Sequence, residues 1–194
     1  MEKALRLLED IAPLEEALRT YLESVLETKE YRRGVTLVRH GETCRTIGFI
    51  EKGLIRGYRI DEKGGENTCY FMREGDVYIS IRSFFKQLPA TEVVETLEPC
   101  KITSLRFDQY KHAYKTHKCF QEHRAELLEK YYLLAEEREE MRQKKKFDRF
   151  CHFLDHYPGL IDRALDKHIA SFLGLTPNYF SSVKEGYLKK AGRR

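Results

Sequence analysis

The spacing of apolar residues changes character twice along the chain. In residues 1 to about 28 it is helical: Leu5, Leu8 and Ile11 share one side, and Leu14, Leu18, Leu22 and Val25 continue the stripe beyond Pro13. Two short helices divided at Pro13 are expected there. From Tyr31 to about Phe107 the pattern shortens to β-rich runs, TLVRH, TIGFIEKG, LIRGYRI, NTCYFM, TEVVETL and CKITSLRF, punctuated by glycines. Regular short strands with glycine turns predict an antiparallel sandwich or barrel. DEKGG (61–65) reads as a hairpin turn, and GDVYISIRSFFKQ (75–87) breaks the strand rhythm with a helical turn.

Helix returns from Phe120 to Met141. Phe120, Leu127, Leu134 and Met141 lie seven apart, with Tyr131 between, and Leu128 and Ala135 widen the stripe. These are seam positions of a heptad, so Phe120, Leu127, Tyr131, Leu134 and Met141 are the expected dimer contact; a core helix of a single chain is the alternative. Arg124 and Arg138 fall on the remaining seam positions, where charge is costly. Lys144, Lys145 and Lys146 then form a basic junction before another helical side of Phe147, Phe150, Cys151 and Leu154, closed by Tyr157-Pro158-Gly159.

The last apolar-periodic stretch is KHIASFLGLTPNYFSSVK, residues 167–184. Ile169, Ala170 and Leu173 make one helix face, and Gly174 ends it with a residue that tolerates left-handed backbone angles. Thr176 is placed to cap the following helix, and Pro177 fits its first position. Phe180 and Val183 turn inward; Asn178, Tyr179, Ser181, Ser182 and Lys184 turn outward. Helix, short turn and polar-faced helix outline a helix-turn-helix, with an ordinary helical hairpin as the plain alternative.

Charge sharpens that outline. The 194 residues carry a net charge of +4. Residues 143–194 hold 11 Lys/Arg against 5 Asp/Glu, whereas the preceding 142 residues hold 24 against 26. A basic end on a slightly acidic body is the electrostatic footprint of a nucleic-acid partner. No apolar run approaches the ~20 residues that cross a bilayer. The acidic residues of MEKALRLLED argue against a secretory signal, so a cytoplasmic location is expected. Cys44, Cys69, Cys100, Cys119 and Cys151 are dispersed, which fits reduced thiols.

In this order of elements the chain resembles the Crp/Fnr family of bacterial transcription regulators. The resemblance rests on FIEKGLIRGYRIDEKGGE (49–66) with MREGDVY (72–78), and on IASFLGLTPNYFSSV (169–183), which is similar to the family pattern I-A-x-x-L-G-[LI]-T-x-x-x-[FL]-S-x-[VI]. It implies an α+β fold: an antiparallel, jelly-roll-like β-roll (a double-stranded β-helix) with N-terminal helices over 1–115, a dimerisation helix over 116–143, and a helix-turn-helix of winged-helix type over 144–194. Only 11 residues follow Val183, so the wing is expected to be reduced. The resemblance further implies a homodimer on double-stranded DNA, with RNA polymerase as a further partner and an effector in the β-roll. The DNA-contacting set is then Thr176, Asn178, Tyr179, Ser181, Ser182 and Lys184, with Lys184, Lys189 and Lys190 on phosphates. Pro177, Asn178 and Ser182 stand where relatives carry arginine and glutamate, which points to an operator richer in A·T.

The effector pocket implied by the family is Gly75, Asp76, Val77, Arg82, Ala90 and Thr91. Family members that bind cyclic AMP use a glutamate for the ribose and an Arg-Ser pair for the cyclic phosphate. Here Asp76 follows Gly75, and the Arg-Ser region reads Pro89-Ala90-Thr91-Glu92. An alanine in place of a bidentate cation, with a carboxylate nearby, disfavours a cyclic phosphate, so an unidentified small molecule, or no ligand, is expected instead. An iron–sulfur cluster is not supported by such scattered cysteines. His117, Cys119 and His123, or His152 and His156, fall short of a metal ligand set. No catalytic motif is present. The remaining alternative is a ligand-binding or protein-contact module of the same fold without sequence-specific DNA binding.

Overall fold

The computed structural model describes residues 1–190, with side chains through residue 189. The chain divides into two compact units, one of Met1–Tyr58 with Phe71–Tyr132, the other of Arg59–Tyr70 with the chain from Leu133 onward.

The first unit opens with two helices, α1 (Glu2–Ile11) and α2 (Glu16–Val25), separated at Pro13 as the apolar spacing predicts. Leu5, Leu8, Leu18 and Leu22 are their buried face. Eight strands follow, interrupted by one short helix: β1 (Glu27–Tyr31), β2 (Thr36–Val38), β3 (Thr46–Lys52), β4 (Ile55–Ile60), β5 (Glu66–Met72), β6 (Val77–Tyr78), α3 (Ile81–Lys86), β7 (Val93–Thr96) and β8 (Cys100–Arg106). They form two four-stranded antiparallel sheets, β1-β8-β3-β6 and β2-β7-β4-β5, in a jelly-roll-like arrangement. Register between β3 and β6 depends on a close approach. Gly48 pairs with Tyr78, and a Cβ at Gly48 would lie 2.1 Å from the Tyr78 ring. Only glycine lets that ring lie flat against the strand.

Two elements escape the expectation. β1, with the sequence ETKEY, is almost wholly exposed and looks like the end of a helix. It is an edge strand, held by its ladder to β8 and by a 2.7 Å contact between the Thr28 and Thr103 hydroxyls. After β8 the chain turns directly into α4 (Phe107–Thr116), where Gln109 accepts the Arg106 backbone N–H at 2.9 Å.

α5 (Lys118–Gln143) is 26 residues long. α6 (Lys146–His156), α7 (Leu160–Arg163), α8 (Asp166–Leu173) and α9 (Pro177–Lys190) complete the second unit. Its core is aromatic: Phe150 meets Phe180 edge-on at 5.8 Å, and Phe153 and Tyr157 both meet Phe172. Among the described residues no strand follows β8.

One charged pair lies inside the first unit. Arg56 is 1% exposed; its Nε and Nη2 donate to Glu95 Oε1 at 3.0 and 2.6 Å across the β4–β7 ladder. The guanidinium also stacks 4.1 Å from the Tyr58 ring. Removing one member of a buried pair leaves the other desolvated. Glu95→Ala is therefore expected to cost about 3 kcal/mol of unfolding free energy, read from urea denaturation. Arg56→Met with Glu95→Leu is expected to recover most of that loss.

Candidate nucleic-acid interface and effector pocket

In the second unit, α8 buries His168, Ile169, Ala170, Phe172 and Leu173. It ends at Gly174 in the left-handed region, φ 63° and ψ 37°, and the Leu175 N–H returns to Ala170 O at 2.8 Å. This closure satisfies late helix carbonyls and sends Leu175 into the core. A Cβ on Gly174 would also crowd Arg149 Nη1 at 3.2 Å. That guanidinium donates to Leu173 O at 3.1 Å through Nη1 and to Lys144 O at 2.8 Å through Nε, so it braces the turn. The Thr176 hydroxyl accepts the Tyr179 N–H at 3.3 Å, and Pro177 opens α9.

Of the outward set, Thr176, Asn178, Ser181 and Ser182 are exposed. Tyr179 is half-buried, with the Lys146 ammonium 5.4 Å from its ring. Lys184 departs from expectation. Its ammonium binds Asp166 Oδ1 at 2.6 Å and approaches Ile161 O at 3.5 Å, so it ties α9 to the first turn of α8 rather than standing free for phosphate. Lys189 pairs with Glu185 at 2.9 Å on an exposed face. The side chain of Lys190 lies outside the described residues. Lys144, Lys145, Lys146 and Lys167 are exposed.

Ser171 was not singled out by its sequence. Its hydroxyl accepts the Thr68 N–H at 2.9 Å and donates to Glu66 O at 2.8 Å, docking β5 on α8. A serine on a helix gives no hint of a partner over 100 residues away.

The long helix faces differently from the heptad reading. Phe120 and Met141 are 6% and 1% exposed, so both are already buried within the chain and have no surface left for a second subunit. Tyr131 is engaged within the first unit, where its hydroxyl accepts the Val77 N–H at 2.7 Å. Burial, with Asp76 nearby, raises that phenol well above its ordinary pKa. Leu127 is half-buried, while Leu134 is exposed. The seam arginines stack on rings: Arg124 lies 5.3 Å from Phe85 and 5.2 Å from Tyr114, and Arg138 lies 5.8 Å from Phe172. Desolvation, then Arg142 beside it, lowers the pKa of Arg138 from its usual value. On α5 in the first unit Ala125 and Tyr132 are exposed, Tyr132 by 64%, while Leu128, like Leu127, is half-buried and lines the cavity described below.

The residues expected around an effector do not converge. Gly75 and Asp76 form the turn between β5 and β6. The Gly75 N–H donates to Ile50 O, and Asp76 O accepts the Ile50 N–H. The Asp76 carboxylate accepts the Arg73 N–H at 3.0 Å and pairs with Lys130 at 3.6 Å. Arg82 is exposed on α3 and Thr91 is exposed. Ala90 is buried and bonds through its backbone to Gly41 and Glu42. Of the six, Val77 lines a cavity of the first unit that the other five do not reach. That cavity, about 50 Å³, lies among α1, β3, β6, β8, α3, α4 and α5 and is walled by side chains such as Phe49, Ile79, Leu105, Phe120 and Leu127.

His123 is fully buried, with Nδ1 2.7 Å from Cys119 O and Nε2 3.1 Å from Ala12 O. Both nitrogens are committed to carbonyls. His152 and His156 stack at 3.8 Å, and His156 Nδ1 is engaged with His152 O at 2.9 Å. All five cysteines are free, and burial pushes the Cys100 thiol up to about 11.

Comparison with known proteins fits this architecture. Residues 28–117 match the family model of the cyclic nucleotide-binding domain. A Crp/Fnr-family protein from Eubacterium rectale superposes with a TM-score of 0.73 at 17% identity, covering 92% of this chain and 85% of that one. The chain has the Crp/Fnr fold. FixK2 from Bradyrhizobium japonicum gives 0.66 at 18% identity over 87% and 86% of the two chains. The c-di-GMP responsive global regulator CLP of Xanthomonas campestris gives 0.68 at 14% identity over 92% of each. Curated protein sequences contain no match. No helix among the described residues is long and apolar enough to cross a membrane.

Tyr131→Phe deletes the acceptor for a buried N–H while keeping the ring. It is expected to destabilise the chain by about 1–2 kcal/mol in denaturant titration. With Ala90 where a phosphate-binding arginine would stand, millimolar cyclic AMP or cyclic GMP is expected to leave the melting temperature unchanged.

Proposed function

We propose that the protein is a homodimeric, DNA-binding transcription regulator of Crp/Fnr type whose β-roll answers to a small molecule other than cyclic AMP. The observation that carries this reading is the turn at Gly174 and Thr176, which fixes α9 with Asn178, Ser181 and Ser182 exposed along it. An amide that pairs with adenine and hydroxyls that meet phosphates or bases suit a major-groove helix. The exposed lysines 144–146 and 167 supply the electrostatic attraction in place of Lys184. Residues 1–115 act as the sensor, 116–143 as the dimerisation helix and 144–194 as the reader, working in the cytoplasm with RNA polymerase as a further partner. The subunits pair through the exposed side of α5 that carries Ala125 and Tyr132, seven residues apart as along a two-helix seam.

One observation favours a protein-contact module instead: the cation nearest the reading positions, Lys184, is neutralised by Asp166 within the fold. Duplex binding separates the two. Affinity for a selected duplex is expected to fall with a log–log salt slope of about −0.9 per phosphate contacted. Asn178→Ala with Ser182→Ala is expected to weaken it at least tenfold at constant salt. A dimer showing no duplex binding at low salt would favour the contact module.

A further inference from the structure

The cavity of the first unit is dry, and its wall explains why. The polar side chains in that wall all turn their polar atoms elsewhere. His123 has both ring nitrogens on backbone carbonyls, and the Tyr131 phenol takes the Val77 N–H. The Arg124 guanidinium lies over the rings of Phe85 and Tyr114 and against the Tyr110 phenol. What remains facing the space is almost wholly apolar. A water molecule held there needs about two to four polar partners and finds none.

The space is also braced against collapse. Phe85 meets Tyr110 edge-on at 5.7 Å, and Tyr110 meets Phe120 edge-on at 5.6 Å, so one side of the wall is a row of interlocked rings. On another side the Tyr131–Val77 bond holds β6 to α5. An unfilled space persists where its surroundings cannot relax into it. The most exposed residue of the wall is Ile81 on α3, at 46%, which marks the side nearest solvent.

Volume then limits the occupant. A dry cavity of about 150 Å³ takes benzene. On that scale the volume here, about 50 Å³, suits about two or three carbons. A charged or hydroxylated guest would bury polar atoms with nothing to pair them, which is costly. We propose that this cavity binds a neutral short-chain hydrocarbon, seated among Phe49, Ile79, Leu105 and Leu127. Ala90 and Thr91, where the cyclic-nucleotide motif would lie, take no part in it. An occupant touches β6, α3 and α5 together, so it bears on the same elements that the Tyr131–Val77 bond joins.

The inference rests on reading the first unit as a small-molecule sensor and names the class of molecule; DNA binding does not enter, so it is tested without DNA. Methyl NMR spectra of the full chain are followed during titration with dissolved ethane, propane, butane and pentane, with ethanol as the polar isostere of propane. Saturable shifts are expected at the methyls of Ile79, Leu105 and Leu127. Affinity is expected to rise about fourfold from ethane to propane and to level or fall by pentane, when the space is full. Ethanol is expected to bind more than tenfold weaker than propane. Val77→Ile adds one methylene to the wall and should weaken propane about fourfold or more. The inference is overturned if no hydrocarbon gives saturable shifts, if ethanol matches propane, if affinity is still climbing at pentane, or if Val77→Ile binds propane as the parent does. Should Val77→Ile fail to fold, the propane–ethanol comparison on the parent decides alone. A chain that binds propane but no duplex upholds this site and removes the DNA reading; the reverse result does the opposite.

Discussion

One buried hydrogen bond sets the arrangement of the first unit. The Tyr131 phenol oxygen takes the N–H of Val77, at the start of a two-residue strand too short to hold itself in place by its own ladder. Lys130 and Asp76 add a second link one residue away on each side. With β6 fixed to α5, the path into α3 is fixed too, and the space enclosed between them becomes the cavity. The same bond rotates α5. Once Tyr131 faces the roll, Leu127 and Leu128 follow it onto the cavity, and the neighbouring positions 125 and 132 are left outside.

That rotation explains what the sequence could and could not reveal. The heptad over 120–141 is real, but a period carries no label for which partner it meets. Phe120 and Met141 repeat like seam residues because they are core residues of two different units at opposite ends of one helix. Arg124 and Arg138 looked misplaced against a seam; against aromatic rings of their own units they are well accommodated. The strands of the roll were legible because β-branched runs and glycine turns are local signals. β1 was not, because an exposed edge strand needs no apolar face and ETKEY has none.

The path from α8 through its turn into α9 was legible almost residue by residue. Gly174, Leu175, Thr176 and Pro177 each perform the local task their chemistry predicts, since capping and left-handed backbone are decided within a few residues. Lys184 was misread because its partner Asp166 lies 18 residues away, across a turn whose angle no local rule supplies. The cavity was the least legible part. The cassette motif directed attention to Gly75 and Asp76, which are turn residues with their polar groups internally matched. The cavity is assembled by seven elements that share no motif.

Ser171 has a consequence for how the molecule meets its neighbours in a crowded solution. β5 is the outermost strand of its sheet, and an outermost strand offers unpaired amides and carbonyls to any passing extended chain. The Ser171 hydroxyl takes up one amide and one carbonyl of that strand, at Thr68 and Glu66, much as another strand would. A single side chain on α8 thereby stops the sheet from growing at that edge. Its loss would leave the exposed face of α9 untouched while giving the sheet an adhesive border.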